Sequence, residues 1–152
     1  MRLPGNSGTF SELGVESYLE RRAMANHKPI SGLESASEHL DVFSGLTDRQ
    51  GEAILLIDLI RHEEDSHMNE IVVHWRRGEA DAIARDSQKA YADFPAFSER
   101  IIDARNRNWI PKIERDLQSG HVYFVIAGAA HMGGPNGVLA LLRARGYQIE
   151  QL

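Results

Sequence analysis

Between Pro95 and Ser119 the apolar residues Phe97, Ile101, Trp109, Ile113 and Leu117 recur at helical spacing and predict one amphipathic helix with a single apolar stripe. Pro111 lies inside that segment and lacks the N–H that would bond residue 107, so a kink is expected there. The pattern then changes. Val122-Tyr123-Phe124-Val125-Ile126-Ala127 is an unbroken apolar run rich in β-formers, as in a strand buried on both faces. A Gly-rich turn, Gly128 to Gly134, leads to Pro135, which suits the first turn of a helix running through Leu139, Leu141 and Leu142 to Gly146. Tyr147 to Leu152 reads as a last strand. Strand, helix and strand in that order build parallel sheet.

Upstream, the pattern predicts a short helix from about Val15 to Ala25 and a brief strand over Lys28-Pro29-Ile30-Ser31-Gly32-Leu33, with Pro29 tolerated only at its start or edge. Ser35-Ala36-Ser37-Glu38 is a capping box, and Thr47-Asp48-Arg49-Gln50 repeats it after Gly45. A helix is expected from about Asp48 into the sixties, continuing or restarting through Met68, Ile71, Val72 and Trp75 to near Gly78. Another covers about Glu79 to Ala92 and stops before Pro95. The expected fold class is therefore α/β, a single domain over residues 14–152 behind a flexible lead-in over 1–13. Its small, mostly parallel sheet has strands near 28–33, 122–127 and 147–152, with a large helical insertion between 35 and 120. So small a sheet leaves open edges, and self-association through a dimer or swapped elements is expected.

Composition narrows the function classes. The chain of 152 residues carries 17 Lys+Arg against 22 Asp+Glu, a net charge of −5, and its basic residues Arg76, Arg77, Arg143 and Arg145 occur only in pairs, which argues against nucleic acid as a partner. The longest apolar run, Ala53 to Leu59, is interrupted by Asp58 and falls far short of the ~20 residues of a membrane helix. Met1 to Phe10 has one Arg and no apolar stretch, so no secretory signal is expected in it. There are no cysteines, which excludes disulfides and thiolate metal sites and leaves the compartment undecided.

Candidate chemistry appears in two places. His62-Glu63-Glu64-Asp65-Ser66-His67 imitates a zinc-protease motif, but its second histidine falls at i+5, roughly 140° around a helix from the first, so the pair cannot clamp one ion. Glu63, His67, Glu70 and His74 do share one helical stripe of metal-capable groups, which reads equally as a solvated face or a partner-helix contact. The second place is formed by strand ends. Glu34 follows the first predicted strand and His131 follows the second, three residues after Gly128, and open α/β sheets bind ligands beyond the carboxyl ends of strands. Glu34 could otherwise merely favour a helix N-terminus, and His131 could decorate a loop. Arg105 sits in the middle of the apolar stripe, four residues from both Ile101 and Trp109, where a guanidinium needs a carboxylate, a carbonyl or a ligand. Asn106 beside it could cap or orient. The helix start after Gly134 offers N–H groups to an anion.

In this order, Gly14-Val15-Glu16 with Leu19 and Ala23, Lys28 to Ser35, Trp75 with Gly78-Glu79, Arg105-Asn106 with Trp109, Val125 to His131, Gly134, Gly137-Val138-Leu139, Leu142 and Gly146-Tyr147 resemble the C-terminal part of the TraB/PrgY/GumN family, which includes the Tiki proteases. The resemblance runs from near Gly14 to Leu152. It implies a metal-dependent hydrolase, a peptidase acting on a small peptide or protein, built around two G-x-x-H motifs, a glutamate and an arginine. Gly128-Ala129-Ala130-His131 matches the second G-x-x-H, Glu34 the glutamate and Arg105 the arginine. The resemblance thus implies catalytic roles for Glu34, Arg105 and His131, with Glu34 and His131 as ligands of a divalent Mn, Co or Zn ion. The first G-x-x-H is absent, since no Gly-x-x-His precedes residue 128, and His27 and His39 follow Met24 and Ala36 at that spacing. Against the family pattern the chain therefore reads as the C-terminal half of a longer protein, extracytoplasmic in its parent, impaired as an enzyme or kept as a non-catalytic binding or regulatory module. A final expectation is geometric: Glu34 and His131 emerge together from parallel strands, and Arg105 reaches over to them from the long helix.

Overall fold

The computed structural model describes residues 14–61 and 65–152, which divide into two units, one ending at Gly32 and the other running from Leu33 to Leu152. In the first, α1 (Val15–Ala25) carries Glu16 in its first turn and Arg22 in its last, charges of the sign each helix end favours. It closes through His27 at φ 51, with Lys28 N–H donating to the Ala23 carbonyl at 2.9 Å in a Schellman pattern.

The second unit begins at the capping box. Ser35 Oγ accepts from Glu38 N–H and Ser35 N–H donates to the Glu38 carboxylate at 2.6 Å, launching α2 (Ala36–Ser44). Thr47 and Gln50 repeat the exchange at the head of α3 (Asp48–Arg61). Next come α4 (Asp65–Arg76) and α5 (Ala80–Ala90), separated by Gly78 at φ 68. The long amphipathic segment is α6 (Pro95–Ser98), a π-helical turn (Glu99–Asp103) and α7 (Ala104–Gln118), with Pro111 inside α7. After an irregular stretch and a 3-10 turn (Ala129–His131) comes α8 (Val138–Arg143), followed by Gly146 at φ 89. Pro135 stands outside α8, whose N-cap is Gly137.

The expected α/β class is overturned. Most of the described residues are helical, and no strand or sheet forms among them. The segments expected as strands, near 28–33, 122–127 and 147–152, form no strand and pair with no described neighbour. A strand exists only when a neighbour takes its ladder bonds, and β propensity expresses itself only in that context. Without such a neighbour the apolar run stays largely open to water: Val122 is fully exposed and Phe124 is 77% exposed. Only the inner ends of these segments reach the core, where Leu33, Ala127, Tyr147 and Ile149 pack on Trp109, Ile110, Ile113, Val138 and Leu142.

That core joins α7 to α8, and the turn between Gly128 and α8 is pressed against α5. A Cβ on Gly133 would stand 2.2 Å from the Ala80 carbonyl oxygen, and one on Gly137 would stand 2.1 Å from the Gly133 carbonyl oxygen. The small residues therefore serve backbone approach. Ile110, fully buried, should cost about 3 kcal/mol when replaced by Ala, whereas the half-exposed Leu117→Ala should cost less than about 1 kcal/mol. Urea denaturation of the two variants checks this, and equal losses would show that the apolar stripe is not anchored where α7 meets α8.

Candidate functional site

Each side chain of the site is set by a local feature. Leu33 packs on the core and Ser35 caps α2, so Glu34 between them is held at the residue before the cap. Arg105 lies one residue into α7, directly after the π-helical turn, and folds back so that Nη1 donates to the Ile101 carbonyl at 3.1 Å. His131 ends the 3-10 turn, its N–H donating to the Gly128 carbonyl at 2.9 Å.

These three residues meet. Arg105 grips Glu34 with both arms, Nε donating to Oε2 at 3.0 Å and Nη2 to Oε1 at 2.7 Å, and both side chains are only 17% exposed. Such bidentate pairs combine charge with fixed geometry. On its other side Arg105 Nη1 lies 3.5 Å from His131 Nε2. The Trp109 ring supports both partners, 5.0 Å from the guanidinium carbon and 4.5 Å from the imidazole, centroid to centroid for the latter.

Three further residues contribute: Asn106, offered by the sequence as a capping or orienting residue, and Trp109 and His39, which it did not offer as hydrogen-bonding partners in the site. Trp109 is more than core: Nε1 donates to Glu34 Oε2 at 3.1 Å. Asn106, fully buried, donates from Nδ2 to the Asn136 carbonyl at 2.9 Å, which turns its Oδ1 to His131 Nδ1 at 2.7 Å. An amide oxygen only accepts, so the His131 proton sits on Nδ1 and the Nε2 lone pair faces Arg105. His39 Nδ1 donates to Glu34 Oε1 at 2.7 Å. Its signal was inside the capping box, because the residue before the cap and the fourth residue of the helix face each other, usually as an apolar pair. Here that pair is Glu34 and His39.

Of the remaining sequence candidates, the two that are described stand apart from this group. Glu63 lies outside the described residues, as does the side chain of His67; Glu70 is exposed and His74 pairs with Glu79 at 2.5 Å. The helix expected to start directly after Gly134 and offer N–H groups to an anion starts only at Val138, and the Gly134 N–H donates to Asp81 Oδ1 at 2.8 Å.

The electrostatics follow from the contacts. Burial pushes the Glu34 carboxyl up, but the hydrogen bonds from Arg105, His39 and Trp109, with the charge of Arg105, together outweigh it and hold the pKa at about 2. Burial pushes the His131 imidazole down, the Arg105 cation adds to that and Glu34 opposes it only partly, leaving about 4. At neutral pH the site is thus carboxylate, guanidinium and neutral imidazole. A cavity of about 180 Å³ opens beside it, lined by Leu33, Glu34, Asp41, Arg105, Trp109 and Lys112 among others, and His131 does not line it.

As arranged, Glu34 and His131 do not fit a divalent ion. Each oxygen of Glu34 already takes two donors, a cationic guanidinium stands against both candidate ligands, and no group of three His, Asp or Glu among the described residues is placed to hold a metal.

Both shifts make stability fall with acid. His131 is depressed from 6.5 to about 4, so below pH 6.5 the unfolded chain takes up a proton that the fold refuses, and stability drains as pH falls towards 4. Glu34 is depressed from 4.5 to about 2, so a second loss runs from 4.5 towards 2. Melting temperatures across pH 7 to 3 should show both phases, and His131→Asn should remove the upper one. An unchanged decline in that variant would place its origin elsewhere.

No curated protein matches the chain, and no solved structure does. The model of the TraB/PrgY/gumN family matches residues 3–151, and that span holds Glu34, Arg105 and His131 together. The chain belongs to the TraB/PrgY/gumN family.

Proposed function

We propose that Glu34, Arg105 and His131 form one wall of a hydrolase site acting on peptide-type amides, with low turnover in this chain. The observation that supports it is the convergence of an acid, a base and a cation that lie far apart in the sequence. The His131 Nε2 lone pair would take a proton from water as the water oxygen attacks a carbonyl carbon, Arg105 would receive the negative charge gathering on the carbonyl oxygen, and the protonated imidazole would return its proton to the amide nitrogen as the C–N bond breaks and the amine leaves. Glu34 holds Arg105 in place, and Asn106 keeps the His131 proton on the far nitrogen. Turnover is low for a physical reason: an imidazole with a pKa of about 4 is available as a base at pH 7 but accepts protons weakly.

One observation favours a second reading, a non-catalytic module that binds a charged peptide segment. The cavity opens on Glu34 and Arg105, with Glu38, Asp41, Arg100 and Lys112 around it, and leaves His131 behind the guanidinium. Acids and bases on one wall suit a ligand carrying both charges.

Hydrolysis of a quenched fluorescent peptide library separates the two. The hydrolase reading expects wild-type cleavage that falls about 100-fold in His131→Ala. Peptide binding by NMR titration without cleavage, unchanged in His131→Ala and lost in Arg105→Ala, would favour the module instead.

A further inference from the structure

Resting on the reading of His131 as the base of the site, the contacts behind its ring carry an inference about what keeps it one. A neutral imidazole accepts at Nε2 only while its proton stays on Nδ1. Asn106 Oδ1 takes that proton at 2.7 Å, yet an amide has two ends of nearly the same size. Turned over, Asn106 would offer Nδ2–H to the ring and move the proton to Nε2, where Arg105 Nη1 already points a donor at 3.5 Å. No lone pair would then remain for water. Partners, not shape, choose the orientation. The Asn136 carbonyl only accepts, and by taking Nδ2–H at 2.9 Å it points Oδ1 at the ring. Because Asn106 is fully buried, a turned amide would set oxygen against that carbonyl where solvent cannot relieve it.

The carbonyl is placed in turn. Gly134-Pro135-Asn136-Gly137 is a tight turn, closed by Gly137 N–H on the Gly134 carbonyl at 3.1 Å, and Pro135 takes its second position. Asn136 Nδ2 ties this turn to the π-helical segment by donating to Asp103 Oδ2 at 3.0 Å. Asn136 is exposed and Asp103 half-buried, so the series starts near the surface and ends at a buried imidazole. Asp103 closes the π-helical turn, and Arg105 stands two residues on. One segment thus sets the donor facing Nε2 and, through two amides, the acceptor facing Nδ1. We propose that Asp103 and Asn136 are positioning residues of the site: they hold the Asn106 amide in one orientation and thereby keep the His131 proton on Nδ1, so that Nε2 can act as the base.

Nitrogen-15 spectra of the histidines at neutral pH test this without substrate, with the His131 signals assigned by their loss in His131→Asn. Wild type should show His131 almost wholly as the Nδ1–H form, and a mixed signal there overturns the proposal outright. In Asp103→Ala and in Asn136→Ala the Nε2–H form should rise to at least about 10%. Both changes lie at or near the surface, where the fold tolerates them. Asp103→Asn still offers an accepting oxygen and should keep the wild-type signal, a rescue that loosened packing alone does not produce. An unmixed Nδ1–H signal in a folded Asp103→Ala or Asn136→Ala overturns the proposal, and so does an equal mixture in Asp103→Asn and Asp103→Ala. Tautomer control without cleavage that depends on His131 would uphold the proposal and sink the hydrolase reading.

Discussion

A guanidinium set in an apolar stripe is the constraint on which this site depends. Arg105 lies one turn from Ile101 and one turn from Trp109, on the face of α7 that meets the core. Left unpaired there it would cost several kcal/mol. Glu34 answers it with both oxygens, Ile101 with a carbonyl and Trp109 with a ring face. Satisfying one charge therefore brings the head of α2 to the head of α7, and the turn carrying His131 reaches the same spot through Asn106.

The same cation divides the protonation states. It draws Glu34 down to a permanent carboxylate and discourages a second positive charge on His131. Asn106 then decides which nitrogen of the neutral ring bears the proton, and it is itself oriented by the Asn136 carbonyl, whose side chain donates to Asp103 at 3.0 Å. A chain of contacts thus runs from the π-helical turn through Asn136 and Asn106 to the imidazole. Turns of that kind are frequent at functional sites, where they re-aim side chains.

The scaffold around it is economical. The Gly-rich turn lies on the first residues of α5 because Gly133 has no side chain, and Asp81 secures it through Gly134. Ala82, Ile83 and Ala84 are buried, so α5 presents mostly small side chains at the buried face. Helix α8 completes the core from above the turn, with Val138 and Leu142 packed beside Trp109. His131 is 7% exposed as a result, reached by its neighbours more readily than by solvent.

What was legible from residues alone was whatever a few neighbours decide. The two capping boxes, the helix Val15–Ala25 and the glycine stops near Gly78 and Gly146 are short-range matters of hydrogen bonds and φ, and each appears at its place. The need of Arg105 for a partner was also legible, because burial cost follows from its position in the stripe. Tertiary structure alone decided the rest. Val122 to Ala127 has the composition of a buried strand, yet a strand is a property of a pair of segments, and here the run finds no partner and stays largely open to water. Which groups Asn106 and Trp109 bond in the site was decided only once α2, α7 and the 129–131 turn were placed together, because hydrogen bonds between residues 25 and 75 positions apart leave no local pattern.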